Sequence, residues 1–379
     1  MSISDTDQYA NLKQPGTVMP TQGYQHGTAQ IPRNNTSKNS TANSSASTRC
    51  RPITRLGLGG VAIGNGFTPT SDAAAQHTLQ AAIDAGIRYF DTSPWYGLGL
   101  SERRFGHALH TLRPEHYTLS TKVGRILTAT HQIPDTMWTD PAPFDYRYDY
   151  SAEGVRRSIE DSLQRLGVSQ IDIVYIHDLS PDNEKDLGMP WEQRFEEAVK
   201  GAMPELTRMR EEGIIKAWGF GVNSPEPVLK ALEVADPDIF LLACQYSLLD
   251  HSRALHETLP KIAEKGASAV IGSPLLAGYL GGRERYLYDG TIPEWAPDKR
   301  ARVQRVLDEY GIDLRTASLQ FAEAHPAVAA IIPGARTAAQ VEANVQSLGV
   351  EIPQSFWDEL KSEKLIEIDA PVPQSRQGN

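Results

Sequence analysis

Cysteines and long apolar runs are both scarce in this chain. Of its 379 residues only two are cysteines, Cys50 in a polar stretch and Cys244 in an apolar one. A structural disulfide is not expected between them, and a reducing compartment suits such a composition. No run approaches the roughly 18 apolar residues of a membrane span, and the N-terminus has no apolar signal core. The composition therefore favours a cytoplasmic protein without a membrane partner.

Excess positive charge is also absent. Lys and Arg number 37 against 47 Asp and Glu, so the formal net charge is −10. This balance argues against nucleic acid as a partner, because nucleic-acid surfaces are built from clustered basic residues. The chain does have 40% apolar residues, enough for a large core. One α/β barrel of about 250 residues or more would use most of that length.

Residues 1–50 differ in composition from the rest of the chain. They are rich in Gln, Asn, Ser, Thr, Gly and Pro, and they show no periodic apolar face. Such a segment cannot bury enough apolar surface to offset the entropy lost on ordering. We predict a disordered N-terminal extension over 1–50, either dispensable or acting as a partner-binding arm, and one folded domain over 51–379.

Strand-like and helix-like segments alternate from Arg55 onward. Eight short segments, most of them apolar, have the character of strands covered on both faces: Leu56–Val61, Arg88–Thr92, Tyr117–Lys122, Ile171–His177, Ile215–Val222, Phe240–Tyr246, Ala267–Ser273 and Ala329–Pro333. Helical patterns lie between them. Eight strand–helix units predict an α/β fold, a (β/α)8 TIM barrel, with a doubly wound open sheet as the alternative.

One glycine pattern imitates a dinucleotide-binding fingerprint. Gly57, Gly59 and Ala62 form GxGxxA after a short apolar run. That fingerprint requires a helix to begin at the glycines, whereas Gly66 and Pro69 interrupt the chain here. We therefore predict that this segment is not a Rossmann turn.

Three connections that follow strands are too long to be simple turns: 124–150, 178–193 and 275–297. In a barrel, such connections lie at the C-terminal face, where active sites are built. Their aromatic residues are therefore candidates for pocket walls: Trp138, Phe144, Tyr146, Tyr148, Trp191, Tyr286, Tyr288 and Trp295.

Four polar residues lie where three of the predicted strands end. Asp91 ends the second strand and Tyr96 follows it. Lys122 ends the third strand, and His177 ends the fourth. Because neighbouring parallel strands lie about 4.8 Å apart, these side chains would meet at one mouth of the barrel.

Together these four groups suit proton transfer to or from a carbonyl. We expect the Lys122 ammonium, held by the Asp91 carboxylate, to lower the pKa of the Tyr96 phenol. A neutral His177 would donate a hydrogen bond to the carbonyl oxygen and orient it. None of the four can supply a hydride, so redox chemistry here requires a nicotinamide. No metal is assigned to the site.

Several segments, in order along the chain, resemble the aldo-keto reductase superfamily. They are RYFDTSPWYGLGLSERRFGHAL, TLSTKVGR, SIEDSLQRLGVSQIDIVYIHD, GFGVN and IIPGARTAAQVEANV, and the likeness runs from about residue 54 to 373. The resemblance implies a (β/α)8 barrel that binds NAD or NADP across its C-terminal face. It also implies a catalytic tetrad of Asp91, Tyr96, Lys122 and His177, with Tyr96 as the general acid/base.

The same resemblance implies cofactor-binding residues, grouped by the part of the dinucleotide each would contact: Asn223 and Gln245 at the nicotinamide amide, Ser273, Leu275 and Gly278 at the pyrophosphate, and Gly334, Arg336, Gln340 and Asn344 at the adenosine end. Glycines, a basic side chain and a helix N-terminus suit an anion site. The chain departs from many family members at Gly272, where an aromatic residue would stack on the nicotinamide, and at Ala343, where an acidic residue is common. The choice between NAD and NADP stays open.

Within the superfamily, FDTSPWYGLGLSERRFGHAL followed by DPAPFDYRYDYSAEGV resembles the D-threo-aldose 1-dehydrogenase, L-fucose dehydrogenase and pyridoxal 4-dehydrogenase group. Those enzymes oxidise a cyclic hemiacetal to a lactone, which would make Tyr96 a base. Four charged residues are candidates for binding sugar hydroxyls: Asp140, Asp145, Arg147 and Asp149. Two other functions stay open, an NADPH-dependent reductase of aldehydes or ketones and a non-catalytic NADP(H)-binding subunit that regulates a partner. The sequence does not indicate an oligomeric state.

Overall fold

Eight parallel strands lie side by side in a ring in the computed structural model, which describes residues 50–374. Parallel bridges from Leu56 to Ile331 and from Gly59 to Gly334 join the first strand to the last and close the ring. The predicted (β/α)8 TIM barrel is confirmed, and the open-sheet alternative is wrong. The disorder predicted for 1–50 lies, apart from Cys50, outside the described residues.

The strands around the barrel are β1 (Leu58–Gly59), β2 (Tyr89–Asp91), β3 (Thr118–Val123), β6 (Ile173–His177), β7 (Ala217–Val222), β8 (Ile239–Ala243), β9 (Ser268–Gly272) and β10 (Val328–Ile332). Two further strands, β4 (Arg125–Ala129) and β5 (Phe144–Tyr148), pair with each other antiparallel outside the barrel. All eight predicted strand segments overlap a barrel strand, and β3, β8 and β10 each extend one residue beyond the predicted segment.

The α-helices are α1 (Asp72–Asp84), α2 (Leu100–Leu109), α3 (Ala152–Leu166), α4 (Glu184–Leu187), α5 (Trp191–Lys200), α6 (Ala202–Glu211), α7 (Glu226–Val234), α8 (Leu259–Glu264), α9 (Ala296–Tyr310), α10 (Leu314–Ala324), α11 (Ala338–Ser347) and α12 (Gln354–Ser362). A π-helical segment, Ala254–Thr258, leads into α8, and 3₁₀ turns occur at Pro114–His116, Pro181–Asn183 and Leu276–Gly281. Within 50–374, none of the helices has the length and apolarity needed to cross a membrane.

Helix α3 shows how local sequence sets these elements. The Ser151 side chain accepts a hydrogen bond from the backbone N–H of Gly154 and caps the N-terminus. Val155 and Ile159 recur at helical spacing and are buried against the barrel. Gly167 then ends the helix in the left-handed region, at φ 64°.

The interior of the barrel holds its own cluster of buried side chains, separate from the core beneath the helices: Tyr89, Ile173, Tyr175, Ala217, Ile239, Leu241, Ala243, Val270, Ala330 and Ile332. Two of its members bring phenols inside, because the hydroxyls of Tyr89 and Tyr175 lie 3.2 Å apart. Buried hydroxyls need partners, and here they form one line of hydrogen bonds toward the mouth of the barrel.

The GxGxxA segment closes the barrel and does not start a helix. The chain turns after Gly59, and α1 begins only at Asp72, which confirms that no Rossmann turn is present in this segment. A Cβ added to Gly59 would lie 2.9 Å from the backbone oxygen of Ile332. The glycine therefore serves the close approach of the first strand to the last.

Connection 124–150, predicted as a long loop, contains a hairpin of β4 and β5. Gly124 makes it possible, since its φ of 118° is accessible mainly to glycine. A Cβ there would also lie 2.4 Å from the ring of Tyr150. The chain can thus leave β3 and enter β4 directly, which places the hairpin over the mouth of the barrel.

A histidine holds the C-terminal segment against the loop after β8. The Nε2 atom of His251 lies 3.1 Å from the backbone nitrogen of Glu367, and its Nδ1 lies 2.9 Å from the backbone oxygen of Ser247. The N–H of Glu367 can only donate, so Nε2 accepts and Nδ1 carries the proton. Burial lowers the pKa of His251 to about 4.

Stability should therefore fall in mild acid. Between about pH 6.5 and pH 4 the unfolded chain binds a proton at His251 that the folded chain excludes, so protonation favours unfolding as the pH falls. We expect the free energy of unfolding to fall by about 2 kcal/mol from pH 7 to pH 5 because of His251. The measurement is urea unfolding of the wild type and of His251→Gln at both pH values.

The exposed His77 provides the control for this prediction. His77→Gln should keep the wild-type difference between pH 7 and pH 5, whereas His251→Gln should reduce it. An equal pH difference in all three proteins would contradict the assignment.

Candidate active site

Asp91 and Lys122 form a buried ion pair at the C-terminal mouth of the barrel. Lys122 Nζ donates to Asp91 Oδ2 and to the backbone oxygen of Thr92, both at 2.8 Å. The Lys122 side chain is only 1% exposed, and the Asp91 side chain is 2% exposed. Burial lowers the pKa of Lys122 and raises that of Asp91, while their mutual attraction opposes both shifts.

The line of hydroxyls inside the barrel holds Asp91 in place. Ser120 Oγ donates to Asp91 Oδ1 at 2.7 Å and lies 3.2 Å from the Tyr89 hydroxyl. Because the Ser120 proton goes to the carboxylate, the Tyr89 hydroxyl donates to Ser120, and that of Tyr175 donates to Tyr89. Each hydroxyl has a partner, so both oxygens of Asp91 are fixed.

Tyr96, from the loop after β2, lies beside this pair. Lys122 Nζ is 4.5 Å from the centroid of its ring. The ring centroid of His177 is 5.9 Å from that of Tyr96, and that of Trp138 is 5.6 Å away. The structure thus brings together Asp91, Tyr96, Lys122 and His177, which come from three strand ends.

The expected fall in the pKa of Tyr96 is wrong. Burial raises the pKa of Tyr96 well above its usual value, and the negative charges of Asp91 and Asp178 raise it further. Lys122 is itself paired with Asp91, so its charge is largely balanced and cannot outweigh burial. The resting side chain is a neutral phenol.

His177 is neutral, as the sequence analysis expected. Burial lowers its pKa well below the usual value, and the positive charges of Lys122 and Arg125 lower it further. Its Nδ1 lies 3.3 Å from the hydroxyl oxygen of Ser93. A neutral imidazole keeps one N–H for hydrogen bonding.

A cavity of about 350 Å³ opens above Tyr96, Lys122 and His177. Its aromatic walls include Trp95, Trp138, Tyr146 and Tyr288, of which the last three were predicted and Trp95 was missed. Its polar walls include Arg125, Asp135, Asp178, Asn183, Asp186 and Asp289. Arg125 follows TKVG and Asp178 follows His177, so both lie next to predicted strand ends. Nothing in the local sequence, however, indicates that their side chains line a cavity.

The charged residues proposed for sugar binding lie elsewhere. Asp145 and Arg147 are exposed on β5, and Asp149 pairs with Arg147 and with Ser151 at the start of α3. Asp140 is exposed as well. Alternation along a strand explains the error, because the neighbours of Asp145 and Arg147 face the other way and Tyr146 reaches the cavity.

The other predicted wall aromatics do not line the cavity. Tyr148 packs on Arg125, with 4.6 Å between the guanidinium carbon and the ring centroid. Trp191 is buried against Phe195, and Tyr286 packs on Trp295. Phe144 packs in the hydrophobic cluster around Trp138.

A second cavity of about 280 Å³ adjoins the first and shares with it Val61, Tyr96, Leu241, Ala243 and Tyr288. Six predicted cofactor residues line it: Ser273, Leu275, Gly278, Gly334, Arg336 and Gln340. Asn223 lines the first cavity. Gln245 and Asn344 line neither, and Asn344 is buried.

Three arginines make the second cavity positive. Arg283 and Arg285 join Arg336 in its wall, although the sequence analysis did not single them out. Burial lowers the pKa of Arg336, and the neighbouring Arg283 and Arg285 lower it further. Within residues 50–374 no carboxylate pairs with any of the three, so an anion would relieve their mutual repulsion.

Arg336 also organises the backbone. Its guanidinium donates to the backbone oxygens of Gly66 and Thr68 and to the hydroxyl of Thr70, and Gln340 Oε1 accepts from its backbone N–H. These bonds tie the loop after β1 to the start of α11.

The donor set fits a dinucleotide. One end of the joined cavities is positive, and the other contains the proton-transfer groups. Gln245 Oε1 is buried without a hydrogen-bond partner within residues 50–374, so an acceptor is available beside Val222, to whose backbone oxygen Gln245 Nε2 donates. A nicotinamide bound there would accept or donate the hydride that the four residues lack.

Comparison with known proteins agrees with this geometry. The model of the aldo/keto reductase family matches residues 55–364. The chain belongs to the aldo/keto reductase family. It is therefore an NAD(P)-dependent oxidoreductase.

Two similar proteins and one solved structure illustrate the relationship. The chain is 38% identical over 330 residues to pyridoxal 4-dehydrogenase from Microbacterium luteolum, covering 83% of this chain and 95% of that protein. It is 35% identical over 325 residues to D-threo-aldose 1-dehydrogenase from a Pseudomonas species, with the same shares. An aldo-keto reductase from Bacillus halodurans, solved in its holo form, has TM-score 0.64, 23% identity, and coverage of 88% of this chain and 99% of its own. That likeness shows the shared fold.

Removing the lysine should destabilise the protein. In Lys122→Met the Asp91 carboxylate stays buried without its cation, which costs about 3–5 kcal/mol. We expect a clear fall in Tm by calorimetry, partly recovered in the double variant Lys122→Met with Asp91→Asn. Arg253→Gln, at the exposed pair with Glu226, is the control and should change Tm little. A Tm loss no larger than this control would contradict a buried charge pair.

Proposed function

We propose that this chain oxidises the hemiacetal carbon of an aldose, or of pyridoxal, to a lactone, with NAD+ or NADP+ as hydride acceptor. The observation that carries the proposal is the cavity itself. Aromatic walls and a set of charged and amide side chains surround the mouth where Tyr96, Lys122 and His177 meet. Aromatic faces stack on the C–H faces of a ring, and carboxylates accept hydrogen bonds from its hydroxyls.

The relatives support the same substrate class. The two relatives described above are named as dehydrogenases of pyridoxal at position 4 and of D-threo-aldoses at position 1, and each is covered over 95% of its length. The charged wall residues Arg125, Asp178 and Asp186 are better placed for such a ring than the exposed charges of β5.

In this reaction Tyr96 is the general acid/base. Because its resting side chain is a neutral phenol, Tyr96 must first release its own proton to solvent before it can act as base. The phenolate would then take the proton of the anomeric hydroxyl while the hydride leaves that carbon for the nicotinamide of NAD+ or NADP+. Lys122, held by Asp91, is the nearest cation to its ring and stabilises the phenolate once it forms. His177 donates its N–H to the same substrate oxygen and orients it.

The cofactor would span both cavities. Its phosphates suit the positive cavity of Ser273, Gly278, Arg283, Arg285 and Arg336. Its amide suits Asn223 in the wall of the first cavity. Gln245 lines neither cavity, although its side-chain oxygen has no hydrogen-bond partner within residues 50–374. Leu275, Gly334 and Gln340 line the positive cavity, whereas Asn344 is buried on α11 and lines neither cavity.

Tyr288 takes the place of the missing aromatic residue. A Cβ at Gly272 would lie 2.8 Å from Leu241 Cδ2, so Leu241 already fills that space. Tyr288 packs against the interior cluster and lines both cavities. Its ring is parallel to that of Phe67, with 6.4 Å between centroids. We infer that Tyr288 flanks the nicotinamide.

Truncating that ring should weaken cofactor binding. Tyr288→Ala should raise the Kd for NAD+ or NADP+ about 3- to 10-fold, and Tyr288→Phe should restore it, because the ring face supplies the contact. Quenching of tryptophan fluorescence on titration measures the Kd without substrate. Tyr286→Phe, in the same loop but away from the cavities, is the control. Tighter binding by Tyr288→Ala would show instead that Tyr288 competes with the cofactor.

Reduction of an aldehyde or ketone is the second candidate function. The raised pKa of Tyr96 favours it, because a neutral phenol is ready to donate a proton to a carbonyl oxygen.

Steady-state assays separate the two candidates. We expect turnover of NAD+ or NADP+ with L-fucose, D-arabinose, L-galactose or pyridoxal, and a lactone as the product. In Tyr96→Phe, kcat should fall about 10²- to 10⁴-fold while the cofactor Kd stays unchanged.

Three results would count against the proposal. Turnover confined to aldehydes with NADPH would favour the reductase. Tight cofactor binding without turnover in either direction would favour a regulatory subunit. Near wild-type rates in Tyr96→Phe would remove Tyr96 from its role.

A further inference from the structure

The guanidinium group of Arg125 is enclosed almost completely by the hairpin and the barrel mouth. Its side chain is only 3% exposed. The guanidinium carbon lies 4.4 Å from the ring centroid of Trp95 and 4.6 Å from that of Tyr148. Nη1 donates to Asp178 Oδ2 at 2.8 Å, and Nη2 donates to Asp186 Oδ2 at 3.2 Å and to the Tyr148 hydroxyl. A charge held this closely has a fixed position.

Asp178 links this arginine to His177. One carboxylate oxygen accepts from Arg125, and the other lies 3.4 Å from His177 Nε2. The backbone of Asp178 is left-handed, with φ 49°, directly after β6. That conformation is uncommon outside glycine, although Asp and Asn tolerate it best. Strain of this kind persists where surrounding contacts determine the geometry.

Ser93 sets the tautomer from the opposite side of the ring. Ser93 Oγ accepts from the backbone N–H of Trp95 at 3.1 Å. Its own proton is therefore free to donate to His177 Nδ1, 3.3 Å away. With Nδ1 accepting, the single proton of the neutral imidazole lies on Nε2, the atom near Asp178.

An unpaired carboxylate at that distance would change the charge of the histidine. A lone Asp beside an imidazole favours the imidazolium. Arg125 balances the carboxylate and adds a second cation near the ring. The other ionisable neighbours within residues 50–374 include Lys122 on β3, paired with Asp91, and Tyr96. Tyr150 is a third, and its hydroxyl donates to the backbone oxygen of His177 at 2.9 Å.

The neighbouring strand β7 presents no charge to this histidine. The residue in register with His177 on β7 is Gly221. The balance at the imidazole therefore depends on the pairing between Arg125 and Asp178.

We propose that Arg125 is a positioning residue that acts through Asp178 to keep His177 neutral, with its Nε2 proton free for the substrate oxygen. In the absence of substrate the Nε2 proton points toward Asp178. When substrate binds, its oxygen replaces the Asp178 carboxylate as the acceptor of that proton. The proposal deepens the function given above, because it rests on the role of His177 there.

The first test measures the histidine itself in the chain without cofactor or substrate. ¹⁵N NMR of the imidazole nitrogens, assigned with His177→Gln, follows protonation against pH. Arg125→Gln should raise the pKa of His177 by about 1 unit or more, since Asp178 is left without its cation. This readout does not require turnover, so its failure would be distinct from failure of the proposed reaction.

A double variant tests whether the effect passes through Asp178. Asn also tolerates the left-handed backbone at this position, so Asp178→Asn should leave the loop intact. In Arg125→Gln with Asp178→Asn, the His177 titration should return to that of the wild type. A shift that persists in the double variant would overturn the proposal, as would an unchanged titration in Arg125→Gln.

Two more variants guard against misfolding and general effects. Arg125→Met keeps an unbranched stem between the rings of Trp95 and Tyr148, and should show the same shift if Arg125→Gln does not fold. Arg147→Gln removes an exposed arginine from the same hairpin, outside the cavity, and should leave the titration unchanged.

The pH profile of catalysis supplies the second readout. The acid limb of kcat/KM for carbonyl reduction, in which Tyr96 acts in its protonated form, should move up by about 1 pH unit in Arg125→Gln and Arg125→Met. Arg125→Lys keeps a cation and should keep the wild-type limb, even if KM rises. A purely structural role would lower kcat/KM by the same factor at every pH, and that result would overturn the proposal.

Discussion

The buried pair of Asp91 and Lys122 constrains the rest of the active site. Two charges that are 2% and 1% exposed must satisfy each other, because either one alone would be costly in the barrel interior. The pair makes two further hydrogen bonds, to Ser120 on one side and to the backbone of Thr92 on the other. The pair fixes how β2 and β3 lie beside each other, and this in turn sets the position of Tyr96.

Burial explains why the chemistry of Tyr96 differs from a simple reading of its neighbours. A phenol beside an ammonium suggests an easily lost proton, but this ammonium is already paired. The net effect of the surroundings keeps the proton on the phenol. The same burial keeps His177 uncharged. Tyr96 and His177 are therefore both neutral before the reaction, and neither carries in advance the charge that moves during turnover.

The barrel and the four central residues could be predicted because their signals are local. The barrel strands are short runs buried along their length. Asp91 and His177 end β2 and β6 at the mouth, and Lys122 lies one residue before the end of β3. The hairpin was missed because its partner strands are 14 residues apart, between Ala129 and Phe144, and nothing in either one specifies pairing. The roles of Arg125 and Tyr288 depend on contacts across the fold, with Asp178 and with Phe67, that no sequence pattern records.

The hairpin of β4 and β5 keeps two roles apart. Its residues form part of the cavity wall, whereas the barrel strands hold the catalytic residues. Its strands pair only with each other, and the eight-stranded ring is complete without them. Substitutions along its cavity-facing side can alter which molecule is admitted, while the hydrogen bonds that hold Asp91 and Lys122 stay as they are. Beyond Arg125 at its base, the hairpin is a replaceable wall of the cavity, so substrate preference can change without any change in the catalytic centre.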